Sequence, residues 1–189
     1  GRAGQGGPCG RGDGGAGVIP IAKNTGRLLI NQRSRFVNEG GTYGIFGGGI
    51  FLDDTEFESI EELAQSNYPQ QHALQELQEE TGYNGQIQMQ ELFVYKDNKT
   101  NRNGDPCNFY YWNFAGICPV EFPVSPGAGH EWENGDGSRW MTFTELSTLR
   151  PLHFGLRSVI QNAGGKLSQF VQSLGFQGNE QYPNQVIDS

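Results

Sequence analysis

The sequence predicts an α+β fold, and two observations carry that expectation. Strand-like and helix-like runs are mixed without the regular β-α alternation of a doubly wound sheet. The chain of 189 residues is long enough for one domain with a core of its own and short for two.

The elements follow in order. Residues 1–17 hold nine glycines with Arg2, Arg11 and Asp13 and almost nothing apolar, so they read as a flexible leader; lacking an apolar stretch, they are not a signal peptide. Ordered structure is expected from Val18. Val18–Ile21 and Arg27–Asn31 are β-rich runs across Asn24-Thr25-Gly26, which predicts a hairpin. Three glycines, Gly47, Gly48 and Gly49, follow the apolar Ile45-Phe46 and predict a tight turn where backbone approaches something closely. Thr55 with Glu58 three residues on fits a capping box, and Phe57, Ile60, Leu63 and Ala64 recur at helical spacing, so a short helix is expected over 56–65. Ser66-Asn67 offers a second N-cap for a helix from Tyr68 to Thr81, stopped by Gly82. Strands are expected at Glu91–Tyr95, Asn108–Ile117 and Arg139–Phe143, with a Pro/Gly-rich loop over 119–137. Two helices close the chain, His153–Asn162 and about Lys166–Leu174, before a polar tail. The predicted organisation is a leader (1–17), one domain (18–165) and a C-terminal helix with tail (166–189).

Composition excludes several functions. A net charge of −8 argues against general binding of duplex nucleic acid, which wants a basic surface. No apolar run approaches the ~18–20 residues of a membrane span, so no membrane partner is expected. Cys9, Cys107 and Cys118 are an odd, scattered set without metal-ligand spacing, and a reduced, cytoplasmic setting with all three as bystanders is the simplest reading.

The chemistry is concentrated in Gln75-Glu76-Leu77-Gln78-Glu79-Glu80-Thr81-Gly82-Tyr83. At 100° per residue Ala73, Leu74 and Leu77 share one arc and can face a core, while Glu76, Glu79 and Glu80 share the adjacent arc. Carboxylates at i, i+3 and i+4 repel and weaken a helix. A hard divalent cation reverses the sign of that interaction, and oxygen donors suit Mg²⁺, with Mn²⁺ a substitute. A solvated acidic face explains the triplet alone about as well.

Its surroundings add weight. The segment resembles the Nudix box, G-x5-E-x7-R-E-U-x-E-E-x-G-U with U a bulky apolar residue, through Glu76, Leu77, Glu79, Glu80, Gly82 and Tyr83. Upstream, Tyr43–Gly48 resembles the family's aromatic-Gly-apolar-Pro-Gly-Gly approach, with Phe46 in the proline position. Arg27–Arg33 resembles the preceding strand, and Arg139–Met141 with Thr144–Leu146 a later strand and turn. The resemblance implies a Nudix-type mixed β-sheet sandwiched between helices, with an extra short helix inserted before the catalytic helix. Gly48 and Gln75 are 27 positions apart where the box has 14, which leaves room for that insertion. Gln75 stands where the box has arginine, and Asn67 where it has its first glutamate; Asp53, Asp54, Glu61 and Glu62 are candidates for the displaced role.

The resemblance further implies a metal-dependent pyrophosphohydrolase that cleaves a nucleoside diphosphate-linked substrate, a (d)NTP or derivative, by water attack on phosphorus. Glu76, Glu79 and Glu80 would hold the metal, Glu79 also acting in catalysis, with Arg33, Gly47 and Gly48 at the substrate. Glu131, then Glu133, is the expected general base, an exposed loop carboxylate being an equal alternative for each. Arg35 is a second phosphate candidate. His72 and His153 lack a partner at ligand spacing and read as structural; Phe46 and Trp140 read as core. The same box serves ADP-ribose and dinucleoside polyphosphate hydrolysis, and a catalytically silent nucleotide-binding domain stays open through Gln75 and Asn67. A small-molecule nucleotide is the expected partner, and the sequence leaves a homodimer open.

Overall fold

The computed structural model describes residues 12–33, 40–125 and 138–179. Seven strands form one mixed sheet: β1 (Gly14–Ala22), β2 (Leu28–Gln32), β3 (Tyr43–Gly44), β4 (Phe46–Ile50), β5 (Gln88–Thr100), β6 (Pro106–Cys118) and β7 (Arg139–Met141). The order is β3-β2-β1-β6-β5, with β4 on β1 and β7 on β2. β1 runs parallel to β6 along its whole length, Gly14 opposite Tyr110 through Ala22 opposite Cys118. On its other side β1 is shared. Its first half pairs antiparallel with β4, and at Ile21↔Leu28 it turns into β2. That turn is the expected hairpin, closed by Gly26 at φ 71°.

Helices cover both faces. Helices α1 (Ile60–Ala64) and α2 (Tyr68–Thr81) bury Ile60, Leu63, Ala73 and Leu77 against Ala16, Val18, Phe46 and Trp112. On the opposite face, α3 (Phe143–Thr148) and α4 (Phe154–Ser173) bury Leu146, Leu156, Val159 and Leu167 against Ile19, Ile21 and Ile30. A full Leu or Ile burial is worth ~1.5–3 kcal/mol, so the two cores hold the sheet from both sides. The α+β layering matches the expectation.

Three local readings need correction. The leader reading fails for Gly14–Gly17, which lie buried inside β1. Their glycines admit neighbours: a Cβ on Gly15 would lie 2.5 Å from the Tyr111 ring. Asp13, also buried, accepts the Leu52 N–H at 2.8 Å. Residues 1–11 lie outside the described residues.

The glycine triplet is likewise not a turn but the middle of extended β4; only the close approach holds. Thr55 does not cap a helix over 56–65. It closes a single 3-10 turn at Leu52–Asp54, donating to the Leu52 carbonyl, and the helix proper starts at Ile60. Its cap is Ser59, which accepts from Glu62 N–H at 3.1 Å. The two expected C-terminal helices do form: they follow one another as the two halves of α4, separated at Ala163, whose backbone is non-helical (φ −140°, ψ 17°), just before Gly164-Gly165.

Helix α2 forms as expected. Its first free N–H groups are served by Ser66, whose Oγ accepts from Tyr68 N–H at 3.1 Å, rather than by the Asn67 side chain. Gly82 ends it in the left-handed conformation, φ 77°, returning its N–H to Gln78 O. β5 and β6 run longer than expected and meet at a tight bend with Gly104 at φ 83°. Helix α3 was not expected; Thr142 and Glu145 form a capping box at its start. Cys107 is disulfide-bonded, which corrects its reading as a reduced bystander, and Cys118 is free and buried. Among the described residues no helix is long and apolar enough to cross a membrane.

Candidate metal and phosphate site

Helix α2 lies across β1 and β4, and its acidic side meets the glycines of β4. The Glu76 carboxylate sits directly over Gly48: a Cβ there would lie 2.5 Å from Glu76 Cδ. One turn on, Glu80 is 5% exposed, an unusual depth for a carboxylate. Glu79 projects to the side and accepts a hydrogen bond from Gln75 Nε2 at 3.1 Å. Glutamine in the arginine position therefore does hold a box carboxylate, by a neutral hydrogen bond instead of an ion pair.

Tyr111 lies on the other face of the sheet from Glu76. Its ring crosses Gly15, and its hydroxyl lies against Gly17 and Gly47 where side chains would otherwise stand. Burial raises its pKa well above the ordinary tyrosine range; Glu80 and then Glu76 push it further, and Arg33 opposes them. Tyr111 thus keeps its proton at neutral pH, within electrostatic reach of two carboxylates and one guanidinium. Arg33, at the end of β2, lies beside Gly44.

His72 stands one turn before Glu76, with Nε2 3.5 Å from Glu76 Oε1, too long for a good hydrogen bond. Its ring stacks on Tyr68 at 5.9 Å. Desolvation lowers its pKa, against the opposing pull of backbone hydrogen bonding at Gly48 and Gly49 and of the Glu79 charge. The expectation that His72 has no partner at ligand spacing is thereby corrected: it and Glu76 are i, i+4 neighbours.

The remaining candidates fall as follows. Phe46 is fully buried and Trp140 is 4% exposed, its Nε1 donating to Phe122 O at 3.0 Å, so both are core. His153 caps α4, its Nδ1 accepting from Gly155 N–H at 3.1 Å. Glu61 accepts from Asn108 Nδ2 at 3.0 Å and Glu62 from Glu58 N–H at 3.1 Å, while Asp53 and Asp54 are exposed in the 3-10 turn. Glu131, Glu133, His130, Trp132 and Arg35 lie outside the described residues. Sequence reasoning passed over Tyr111 by reading it only as part of the expected strand Asn108–Ile117. The signal available was the i, i+2 glycines of β1, small residues alternating on one strand face.

A hard divalent cation fits the donors present. Among the described residues no group of three or more His, Cys, Asp or Glu is placed to hold a metal ion. Mg²⁺, however, is commonly held by only one or two carboxylates plus water and substrate phosphate. Glu76, packed on side-chain-free backbone, and the deeply buried Glu80 are the carboxylates that could serve such an ion.

Solved structures return the same architecture. The Nudix domain of NrtR from Shewanella oneidensis, complexed with ADP-ribose, is 16% identical with a TM-score of 0.55, over 82% of this chain and 88% of that one. Dihydroneopterin triphosphate pyrophosphohydrolase from E. coli is 14% identical with a TM-score of 0.55, over 84% and 99%. The Nudix hydrolase RenU from M. smegmatis is 16% identical with a TM-score of 0.54, over 86% of each chain. No family model and no curated protein matches the sequence. At these identities the likeness is one of fold, and the resemblance read from the sequence is borne out at that level. The chain has the Nudix fold.

Proposed function

We propose that the protein is a Mg²⁺-dependent pyrophosphohydrolase of nucleoside diphosphate-linked compounds, a (d)NTP or derivative. The observation that carries the reading is the Glu76 carboxylate held over Gly48 of β4, with the buried Glu80 one turn further along α2. Glu76 and Glu80 would hold the ion, with Glu79 beside them and kept in place by Gln75. A bound divalent ion supplies neutralisation of the charge on the diphosphate oxygens and acidifies water.

The chain's own residues do the rest. Arg33 pairs with phosphate oxygens, the task its planar donors suit. Gly47 and Gly48 leave room for the Tyr111 hydroxyl and the Glu76 carboxylate against the β4 backbone. Glu131 takes the proton of the attacking water, and the second phosphate leaves. ADP-ribose is a second substrate reading, favoured by the ADP-ribose held by the similar NrtR domain. A silent nucleotide-binding domain is a third, favoured by Gln75 and Asn67 in box positions.

The test is phosphate release from (d)NTPs, ADP-ribose and dinucleoside polyphosphates with Mg²⁺ or Mn²⁺. Turnover is expected to need the ion and to fall at least about a hundredfold in Glu80→Gln. Undiminished turnover in that variant overturns the site. Binding without turnover on any substrate supports the silent reading instead.

A further inference from the structure

Helix α2 carries one metal-capable side chain that the reading of Glu76 and Glu80 does not use. The His72 side chain is 14% exposed, and that of Glu76, one turn on, 19%. The imidazole stacks on Tyr68 with centroids 5.9 Å apart and planes 16° from parallel, which holds the ring in place beside Glu76. It also lies against the backbone of Gly48 and Gly49, on the same glycine strand that Glu76 packs on. Nε2 is buried, and no group among the described residues forms a hydrogen bond with it. A ring nitrogen stripped of water with nothing in exchange is a cost that calls for a cause. An ordinary helix-surface ion pair is not that cause. A charged bond from imidazole to carboxylate closes to ~2.7–2.9 Å, whereas Nε2 and Glu76 Oε1 stop at 3.5 Å.

The same 3.5 Å suits two ligands of one metal ion. Bonds of ~2.1 Å to each atom span it with an angle of ~110° at the ion, close to tetrahedral. The right angle of an octahedral Mg²⁺ site wants the two donors only ~3 Å apart. Donor chemistry points the same way. An all-oxygen set suits Mg²⁺, while an imidazole nitrogen suits Zn²⁺ and its transition-metal neighbours. Two ligands at i, i+4 share one helix face, a spacing that recurs where helices hold zinc.

We propose that His72 Nε2 and Glu76 Oε1 together ligate a divalent transition ion, Zn²⁺ by preference, so that nitrogen as well as oxygen holds the ion of this site. The inference rests on Glu76 as a metal ligand in the reading above, and it moves the preference of the site away from Mg²⁺. Water and substrate oxygens take the positions that the two side chains leave. The other described histidine, His153, spends its Nδ1 as the cap of α4 and offers no competing nitrogen here.

The test reads metal binding rather than turnover. Metal-free native protein and His72→Phe are titrated with Zn²⁺ and with Mg²⁺ by calorimetry, and with Co²⁺ followed by its visible absorption. His72→Phe keeps a ring to stack on Tyr68 but has no nitrogen, and an unchanged thermal midpoint of the metal-free variant verifies its fold. It should bind Zn²⁺ at least about tenfold more weakly, with Mg²⁺ affinity changed by less than about twofold. The intense Co²⁺ bands of a four-coordinate site should appear in the native protein and be lost in the variant. His72→Gln, which also lacks a ligating nitrogen, should behave alike, and Glu76→Gln should weaken all three ions. No Zn²⁺ binding by the native protein, or binding indifferent to His72→Phe, overturns the ligand. An equal loss of Mg²⁺ affinity overturns it too, since the ring would then act only through the shape of the site. Zn²⁺ binding that behaves as expected without turnover on any substrate keeps His72 and removes the hydrolase. Mg²⁺-dependent turnover with Zn²⁺ binding indifferent to His72→Phe does the reverse.

Discussion

A single methyl group on Gly48 separates the site's geometry from the fold's stability. In Gly48→Ala the new Cβ would stand 2.5 Å from Glu76 Cδ, and ordinary contact begins at 3.4 Å, so the carboxylate must retreat by close to 1 Å. The Glu76 carboxylate is the far end of a long, half-buried side chain, and leaving its rotamer costs about 0.5–1.5 kcal/mol. A group misplaced by ~1 Å at a reacting centre costs about a hundredfold in rate. The same methyl on Gly47 has no such outlet. It would meet Ala16 O at 2.5 Å and Gly17 Cα at 2.7 Å, backbone atoms that cannot swing aside. That substitution should cost roughly 1–3 kcal/mol or more, as overpacking does. The assay pairs steady-state kinetics on the best substrate with urea unfolding of both variants. Gly48→Ala should lose about two decades of kcat/KM with stability changed by no more than ~1.5 kcal/mol, and Gly47→Ala should be the less stable of the two. Full turnover in Gly48→Ala, or a loss that simply tracks unfolding, refutes the placement of Glu76 in the site.

Two further outcomes are expected from the structure. Arg27 forms a double hydrogen bond with Glu121, at 2.9 Å in each arm and with both side chains nearly buried. Arg27→Ala strands the carboxylate and should cost about 3–5 kcal/mol by chemical denaturation; a loss below ~1 kcal/mol would show the pair to be solvated. Burial pushes the Cys118 thiol up to about 12. The folded protein at pH 8 thus holds it protonated, and a thiol reagent should label Cys118 only on unfolding; labelling as fast as a free thiol would contradict that environment.

Legibility in the sequence followed the strength of local signals. Helix α2 was readable from Tyr68 to Gly82 because the apolar arc, the preceding polar cap and the terminal glycine all agree. The hairpin at Asn24-Thr25-Gly26 was readable for the same reason. Capping chemistry alone misled: Thr55-x-x-Glu58 and Ser59-x-x-Glu62 compete within one segment, and the second wins because Ile60 and Leu63 can then both be buried. The capping box at Thr142 went unread because its helix is only six residues long. Ala163-Gly164-Gly165 reads as a break and is one, Ala163 being non-helical, while Leu156 and Val159 before it and Leu167 and Val171 after it pack into the same core. Of the site, the helical carboxylates were legible as a set on one arc. Their division, Glu76 over Gly48 of β4, Glu80 buried and Glu79 bonded to Gln75, depends on where the glycine strands lie. Periodicity carries no information about that.

The glycine ladder of β1 and β4 has a consequence for how this protein can change. Each missing side chain there is a place taken by another group: the Tyr111 ring at Gly15, its hydroxyl at Gly17 and Gly47, the Glu76 carboxylate at Gly48. The ladder and its visitors can therefore vary only together, as matched pairs of substitutions. The stretch of lowest apparent complexity, the one that reads as a loose leader, is the one where drift is most tightly coupled to distant residues.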